Sequence, residues 1–153
     1  PAVNFIGIEG QENVILRALE KSGQAQTKNV LYIGKFVNDI TEIFIEGELS
    51  GIFLNFSDPW PKERHARRRL THLARLRSCF KALKADGIIQ IKTDNEALFE
   101  FTLQQIEEGG FRIEEITRDL HASAFTAKDI TTEYEDKFSS QGENINYVKI
   151  TSS

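Results

Sequence analysis

The sequence first limits the possible functions through what it lacks. It contains one cysteine, Cys79, so no intrachain disulfide can form, and a reducing cytoplasm is the expected location. No apolar run approaches the roughly 18–20 residues that span a bilayer, and the N-terminus has no signal-peptide layout. We therefore expect a cytoplasmic protein that has no membrane partner.

Metal-binding patterns and methionine are absent as well. The histidines His65, His72 and His121 have no cysteine or histidine companions at ligand spacing, so we expect no metal.

The chain begins with Pro1 and contains no methionine, from which we expect it to be part of a longer reading frame. At 153 residues it suits one domain, covering residues 1–153.

Positive charge is scarce overall and concentrated in one segment. The net charge of −4 would by itself argue against a polyanionic partner. Between Lys62 and Lys81, however, eight cations and one acid give +7, which leaves −11 for the rest of the chain. Such asymmetry can steer a phosphate backbone to one surface. A solvated basic helix face is the alternative interpretation of the same run.

Short apolar runs separated by helical patterns predict an α/β fold. The sheet is expected to be mostly parallel, with right-handed crossovers and helices on both faces. The last run alternates in polarity and predicts a final edge strand. The predicted strands are Val3–Ile8, Asn29–Ile33, Gly51–Phe56, Ile88–Ile91, Phe111–Ile116 and Ile145–Ile150.

Capping residues and periodicity place the helices between these strands. Asn38 or Asp39 could cap a brief helix, and Thr93 or Asp94 could cap a longer one that Gly109-Gly110 closes. A third amphipathic helix is predicted from apolar residues at 3-4-3 spacing, followed by a turn over 84–87. Those apolar residues are Leu73, Leu76, Phe80 and Leu83.

The run from Asn55 to Arg69 combines a carboxylate with a block of cations. Asp58 follows a predicted strand, and Pro59 and Pro61 restrict the turn that carries it. A carboxylate fixed beside phosphate-seeking cations suggests chemistry on a nucleic-acid base rather than simple binding. Trp60 could be a platform for a base or a lid on the core.

This run resembles the signature of the bacterial tRNA (guanine-N7-)-methyltransferases. That signature is approximately Asn-Phe-x-Asp-Pro-Trp-x-Lys-x-Arg-His-x-x-Arg-Arg, and each fixed position is matched. The resemblance extends from Glu9 to about Phe138. Its other landmarks, in the expected order, are Gly7-Ile8-Glu9, Lys92-Thr93-Asp94 and Thr132-Glu133-Tyr134-Glu135.

The resemblance implies a Rossmann-like class I methyltransferase that uses S-adenosylmethionine to methylate N7 of a guanosine in the tRNA variable loop. It implies tRNA as the partner and no metal, and we expect a monomer or homodimer. An RNA-binding module of the same fold that has lost methyl transfer is the alternative. Methylation of a small molecule fits the arginine block poorly.

The resemblance also implies roles for individual residues. Asp58 would act in catalysis and cofactor binding, with Glu9 as a further cofactor contact. Phe36 departs from the family, which usually has an acid or amide near this position, but its ring could stack on the adenine of the cofactor. Three of the residues with implied roles also have a second interpretation. Glu9 could be an exposed acid at a strand end, Phe36 could be a core residue, and Asp94 could be a helix cap. The implied substrate contacts are Lys62, Asp94, Thr132, Glu133, Tyr134 and Glu135, and the implied RNA contacts are Arg64, His65, Ala66, Arg67, Arg68 and Arg69.

The resemblance further implies a first strand and a glycine-rich loop that this chain lacks. In the family that strand lies between the strand ending at Glu9 and the strand ending at Phe56. We therefore expect these two strands not to pair with each other, because paired strands would leave no place for it.

Overall fold

The computed structural model describes residues 3–125, 132, 133, 135 and 141–153. Within them strands and helices alternate, which confirms the predicted α/β class. Two short 3-10 helices, Ile40–Glu42 and Glu63–Arg68, complete the order. The strands and α-helices are β1 (Phe5–Ile8), α1 (Glu12–Gln24), β2 (Val30–Ile33), β3 (Leu49–Asn55), α2 (Leu73–Ala82), β4 (Leu83–Thr93), α3 (Glu96–Gly109), β5 (Arg112–Thr117) and β6 (Asn146–Thr151).

The strands form two separate sheets. Strands β1 and β2 pair in parallel, and the other sheet has the order β3-β4-β6-β5. Strand β3 is parallel to β4, whereas β6 is antiparallel to both of its neighbours. The four described strands therefore form a mixed sheet, and the expectation of a mostly parallel sheet is wrong for them. Within the described ranges β1 and β3 do not pair, as expected. That another strand lies between them stays a prediction.

The main core lies on one face of the four-stranded sheet. Ile89 and Ile91 on β4 and Val148 and Ile150 on β6 alternate onto this face, where they are almost fully buried. Helices α2 and α3 cover them with apolar side chains such as Phe99. Each such burial stabilises the fold by about 1.5–3 kcal/mol. This core fixes β4, whose carboxyl end carries Lys92-Thr93-Asp94.

Helix α1 packs on the two-stranded sheet instead. Ile15 is its buried residue and lies against Gly34, just after β2. Ser22 and Tyr32 add a hydrogen bond of 2.6 Å between their hydroxyl groups. Ile15 and this hydrogen bond thus join α1 to the two-stranded sheet.

Strand β6 is not the edge strand that its alternating pattern predicts. It lies between β4 and β5, and β5 forms the edge. Two of its polar residues pair with Glu115 on β5, which accepts from the Tyr147 hydroxyl at 2.7 Å and from Lys149 Nζ at 3.0 Å. Because these polar groups find partners inside the sheet, they do not require an edge position.

Asp39 caps the 3-10 helix Ile40–Glu42, as one of the two predicted candidates. Its carboxylate accepts from the backbone N–H of Thr41 at 2.9 Å and from the Ser78 hydroxyl on α2. These hydrogen bonds, that of Ser78 foremost, lower the pKa of Asp39 from 3.8 to about 2. The cap therefore also joins this short helix to α2.

Helix α3 begins one residue later than predicted. Its N-cap is Asn95, whose Oδ1 accepts from the backbone N–H of Leu98 at 2.8 Å, so the capping role expected for Thr93 or Asp94 is wrong. At its other end Gly110 adopts a φ of +69°, which confirms the predicted glycine stop.

The turn predicted at 84–87 is a bulge within β4. Leu49 pairs with Leu83, and two residues later Gly51 pairs with Ile88, so the extra residues of β4 leave the ladder between these pairs. β4 is accordingly assigned from Leu83 to Thr93 rather than starting at Ile88.

Candidate active site

The turn Phe56–Trp60 follows β3 at the carboxyl edge of the sheet and has a strained backbone. The Phe56 N–H donates to Lys92 O at 2.9 Å, which extends the pairing with β4 beyond Asn55. Phe56 and Trp60 have φ values of +51° and +44°. Such conformations cost about 1–3 kcal/mol each and persist where the surroundings hold them. Asp58 lies midway between them, exposed and without a hydrogen bond to any described residue.

Arg69 holds this turn from the inside. Its Nε donates to Pro59 O at 3.1 Å, and its Nη2 donates to Trp60 O at 3.1 Å. The side chain is buried, and its guanidinium carbon lies 4.3 Å from the centre of the Phe101 ring. Its donors are directed at the backbone carbonyls of the turn, and the RNA-binding role expected for Arg69 stays a prediction.

Trp60 is not a lid on the main core. It lies in the surface formed by the exposed cations Lys62, Arg64, Arg67 and Arg68, which we call the cation surface. It is half-buried, with the Arg68 guanidinium carbon 4.9 Å from its ring centre. The His65 ring meets it edge-on at 5.6 Å between centroids. A guanidinium over an aromatic face is a favourable arrangement, and it orders Arg68 beside the Asp58 turn.

The other expected cations lie on the exposed side of the 3-10 helix Glu63–Arg68. Lys62, Arg64 and Arg67 are exposed, so their charges are available to a polyanion. Ala66 is half-buried and contributes a backbone carbonyl, which accepts from the Arg69 N–H at 3.1 Å.

Arg75 on α2 connects this helix to the loop after β2. Its Nη1 donates to Asn38 O at 2.7 Å, and its Nε donates to Arg67 O at 3.3 Å. The loop that carries Phe36 is thereby tied to the cation surface.

Glu9 and Phe36 come together at the carboxyl ends of β1 and β2. The Glu9 N–H donates to Ile33 O at 3.1 Å, and its Oε1 accepts from the Gln11 N–H at 2.8 Å. Phe36 is 74% exposed, which excludes the core alternative. Its ring lies over Gly10, where an added Cβ would be 2.3 Å from the ring. A glycine is needed here for the close approach.

Asp94 follows β4 directly and lines a hollow of about 590 Å³. Glu96, Arg118 and Asn146 are among the other lining residues. Since Asn95 caps α3, the carboxylate of Asp94 is not required for the cap. Its position at the carboxyl edge agrees with the expected substrate contact, which stays a prediction.

Thr132 and Glu135 form a reciprocal helix cap. The Thr132 N–H donates to Glu135 Oε2 at 2.7 Å, and the Glu135 N–H donates to Thr132 Oγ1 at 3.2 Å. Glu135 is fully buried and forms an ion pair with the buried Lys92 at 3.2 Å. Its oxygens accept from the Thr132 N–H and from Lys92, and its expected substrate contact stays a prediction.

Glu133 and Tyr134 lie between Thr132 and Glu135 in the sequence, and the structure describes only the first of them. Glu133 is exposed and pairs with Lys21 of α1, whose hydrogen bond lowers the pKa of Glu133. This ion pair attaches the segment to the first half of the chain. Tyr134 lies outside the described residues.

Comparison with known proteins identifies the family. A family model described as "Putative methyltransferase" matches residues 1–148. A tRNA (guanine-N(7)-)-methyltransferase of Brevibacillus brevis is 45% identical over 95% of this chain and 68% of its own length. One from Macrococcus caseolyticus is also 45% identical, over 95% of this chain and 69% of its own length. The chain belongs to the bacterial tRNA (guanine-N7-)-methyltransferase family.

A solved structure supports the fold of this family member. The SAM-dependent methyltransferase from Aquifex aeolicus has a TM-score of 0.61 and 15% identity, covering 96% of this chain and 68% of that one. At this identity the likeness concerns the fold, and it confirms the predicted class I methyltransferase architecture.

The residues at the ends of β1 and β2 fit the adenosine half of the family's cofactor. A carboxylate just after a strand suits ribose hydroxyls, and an exposed ring over a glycine leaves a flat face for adenine. Oε2 of Glu9 makes no hydrogen bond to a described residue, so an acceptor is available there. We find no cluster of His, Cys, Asp or Glu suited to a metal within the described ranges.

Some residues that build the site were not singled out from the sequence. Lys92 lies inside the matched Lys-Thr-Asp motif, and a lysine within an apolar strand indicates a buried partner. Arg75 and Asn146 had no signal of this kind. Their roles depend on carbonyls and carboxylates that only the folded chain brings to them.

Proposed function

We propose that this protein transfers a methyl group from S-adenosylmethionine to N7 of a guanosine in the variable loop of tRNA. Its family membership supports this, and the observation that carries it is the strained turn presenting Asp58 beside exposed cations. A single methyltransferase domain, a cytoplasmic location and a monomer or homodimer complete the proposal. In the described part of the chain, no helix has the length and apolarity needed to cross a membrane.

Guanine N7 needs little acid–base assistance. It offers a bare lone pair. S-adenosylmethionine, when bound, would supply a methyl group from its positively charged sulfonium sulfur, leaving the neutral thioether S-adenosylhomocysteine and a positively charged purine. Catalysis then depends on orientation and on groups that favour the positive charge of the methylated purine. An exposed carboxylate in a rigid turn suits this task, since Arg69 holds the backbone that carries Asp58.

The remaining residues divide into three tasks. Glu9 and Phe36 hold the adenosine part of the cofactor, and Asp94 contacts the guanine after it leaves its stack. Thr132, whose Oγ1 accepts from the Glu135 N–H, is a further substrate contact. The phosphates are met by Lys62, Arg64, Arg67 and Arg68, with His65 beside them.

The test replaces Asp58 by Asn, which keeps the shape and removes the charge. Tandem mass spectrometry of nucleosides from tRNA, incubated with the protein and S-adenosylmethionine, should show a drop in 7-methylguanosine formation of about 100-fold or more, the scale of losing one electrostatic contact in a transition state. Affinity for tRNA should change less than a few-fold. The control Asp86→Asn makes the same substitution in the bulge near the amino end of β4. This position lies at the opposite end of the strands from Asp58, so the variant should keep full activity.

Two outcomes would contradict the proposal. Near-normal turnover by the Asp58→Asn protein would remove this carboxylate from catalysis. Binding of tRNA without methyl transfer, and without binding of S-adenosylhomocysteine, by the wild type would favour the RNA-binding module instead.

A further inference from the structure

Asn146 has a buried acceptor to which no residue described by the structure donates. The residue is 3% exposed and begins β6, opposite Thr93 of β4. Its Nδ2 donates to Glu96 Oε2 at 3.2 Å. Its Oδ1 is buried and has no hydrogen-bond partner among the described residues. A buried polar atom left unpaired is costly, so this oxygen needs an explanation.

The orientation of the Asn146 amide is fixed by its neighbour. Glu96 can only accept, because Arg118 keeps it in an ion pair, and an exchanged amide would bring two acceptors face to face. The amide nitrogen must therefore point to Glu96. The oxygen is consequently an acceptor held in a defined direction.

Asn146 is also in the right place for the proposed reaction. Strands β3, β4 and β6 are adjacent, so residues after β3, after β4 and at the start of β6 share one edge of the sheet. Asp58 and Asp94 follow the first two strands. Asn146 and Asp94 line the same hollow of about 590 Å³.

Two neighbouring acceptors suit one particular base. The Watson–Crick edge of guanine carries the N1–H and 2-amino donors, whereas the adenine ring nitrogen at N1 is an acceptor. N7 lies on the opposite side of the purine and stays open to the methyl donor. We propose that Asn146 Oδ1 accepts a hydrogen bond from the 2-amino group of the target guanine, beside Asp94, and is a specificity-determining residue. This inference rests on the proposed function.

Inosine tests this contact directly because it keeps N7 and N1–H and lacks the 2-amino group. Two tRNA transcripts carry guanosine or inosine at the target position, and kcat/KM is measured for each. The wild type should prefer guanosine by about tenfold, the effect of one hydrogen bond to a buried group. Asn146→Ala should lower turnover of the guanosine tRNA and leave the inosine tRNA unchanged, bringing the ratio close to one. Asn13→Ala, on the exposed face of α1, should keep the wild-type ratio.

The possible failures are distinguishable. Equal rates on both tRNAs for the wild type would overturn the proposal without any variant, even if Asn146→Ala did not fold. An equal loss on both tRNAs in Asn146→Ala would also overturn it, because a purely structural role lowers both. Absence of methyl transfer to the guanosine tRNA by the wild type would instead overturn the proposed function, and this inference with it.

Discussion

At the scale of single residues, two adjacent arginines of the signature have opposite tasks. Arg68 lies over the Trp60 ring at the surface, where its charge remains available to phosphates. Arg69 is buried and directs its donors at the carbonyls of Pro59 and Trp60. A guanidinium suits the second task because its planar fork can satisfy two carbonyls at once. The turn that carries Asp58 is thus held by a cation that the sequence alone assigns to RNA.

Replacing these arginines by methionine separates the two tasks. Arg69→Met leaves two carbonyls without their charged donor, and we expect it to lower the free energy of unfolding by about 1.5–3 kcal/mol. Arg68→Met should change stability by under about 1 kcal/mol and weaken tRNA binding. Urea unfolding and tRNA titration measure the two effects. Loss of tRNA affinity in Arg69→Met with unchanged stability would contradict this assignment.

At the scale of elements, the sequence predicts those helix and strand boundaries that are set by neighbouring residues in the chain. Most of the strands and α3 were predicted close to their observed bounds, because apolar runs and the glycine stop are local signals. Strand β4 is the exception, since it starts at Leu83 rather than at Ile88. The N-cap of α3 lies one residue after the predicted Asp94, because asparagine is as favourable as aspartate at this position. The edge position of β6 was wrong because Glu115, which pairs with two of its polar residues, belongs to a distant part of the chain.

In the candidate active site, too, features set by local sequence could be predicted, and features set by contacts between distant residues could not. Asp58 could be predicted from a local motif, and the turn that exposes it agrees with the expectation. Burial of Glu135 could not, because it depends on Lys92, 43 residues earlier. Motif matches indicate which residues gather at the carboxyl edge, whereas tertiary contacts decide which of them face the ligand.

The pair Lys92–Glu135 gives an element-scale prediction. Glu135→Gln removes the carboxylate opposite a buried ammonium, and we expect a loss of about 3–5 kcal/mol in the free energy of unfolding. Lys92→Met should cost a similar amount. The double variant should cost less than the two single losses together, because neither charge then remains buried opposite a neutral partner. Additive losses in urea unfolding would show that the two side chains do not interact.

At the scale of the whole molecule, an acidic protein presents a cationic surface to its proposed substrate. The chain has a net charge of −4, yet residues 62–81 carry +7. Arg69 and Arg75 direct their guanidinium donors at backbone carbonyls, so fewer cations are available to phosphate than this count. The acidic remainder repels a polyanion from the other faces, which favours one docking orientation.

This orientation predicts the salt dependence of tRNA binding. Arg64 and Arg67 are exposed on the helix that follows the Asp58 turn, and each phosphate contact contributes about 0.7–0.9 to the slope of log affinity against log salt concentration. Replacing both by Ala should therefore weaken binding and reduce that slope by about 1–2, measured by titration from low to physiological salt. Lys84→Ala removes an exposed cation from the bulge of β4 at the opposite edge and should leave the slope unchanged. If Lys84→Ala altered the slope as much as the arginine variant, tRNA would contact both edges, and the docking of one cationic surface beside Asp58 would be wrong.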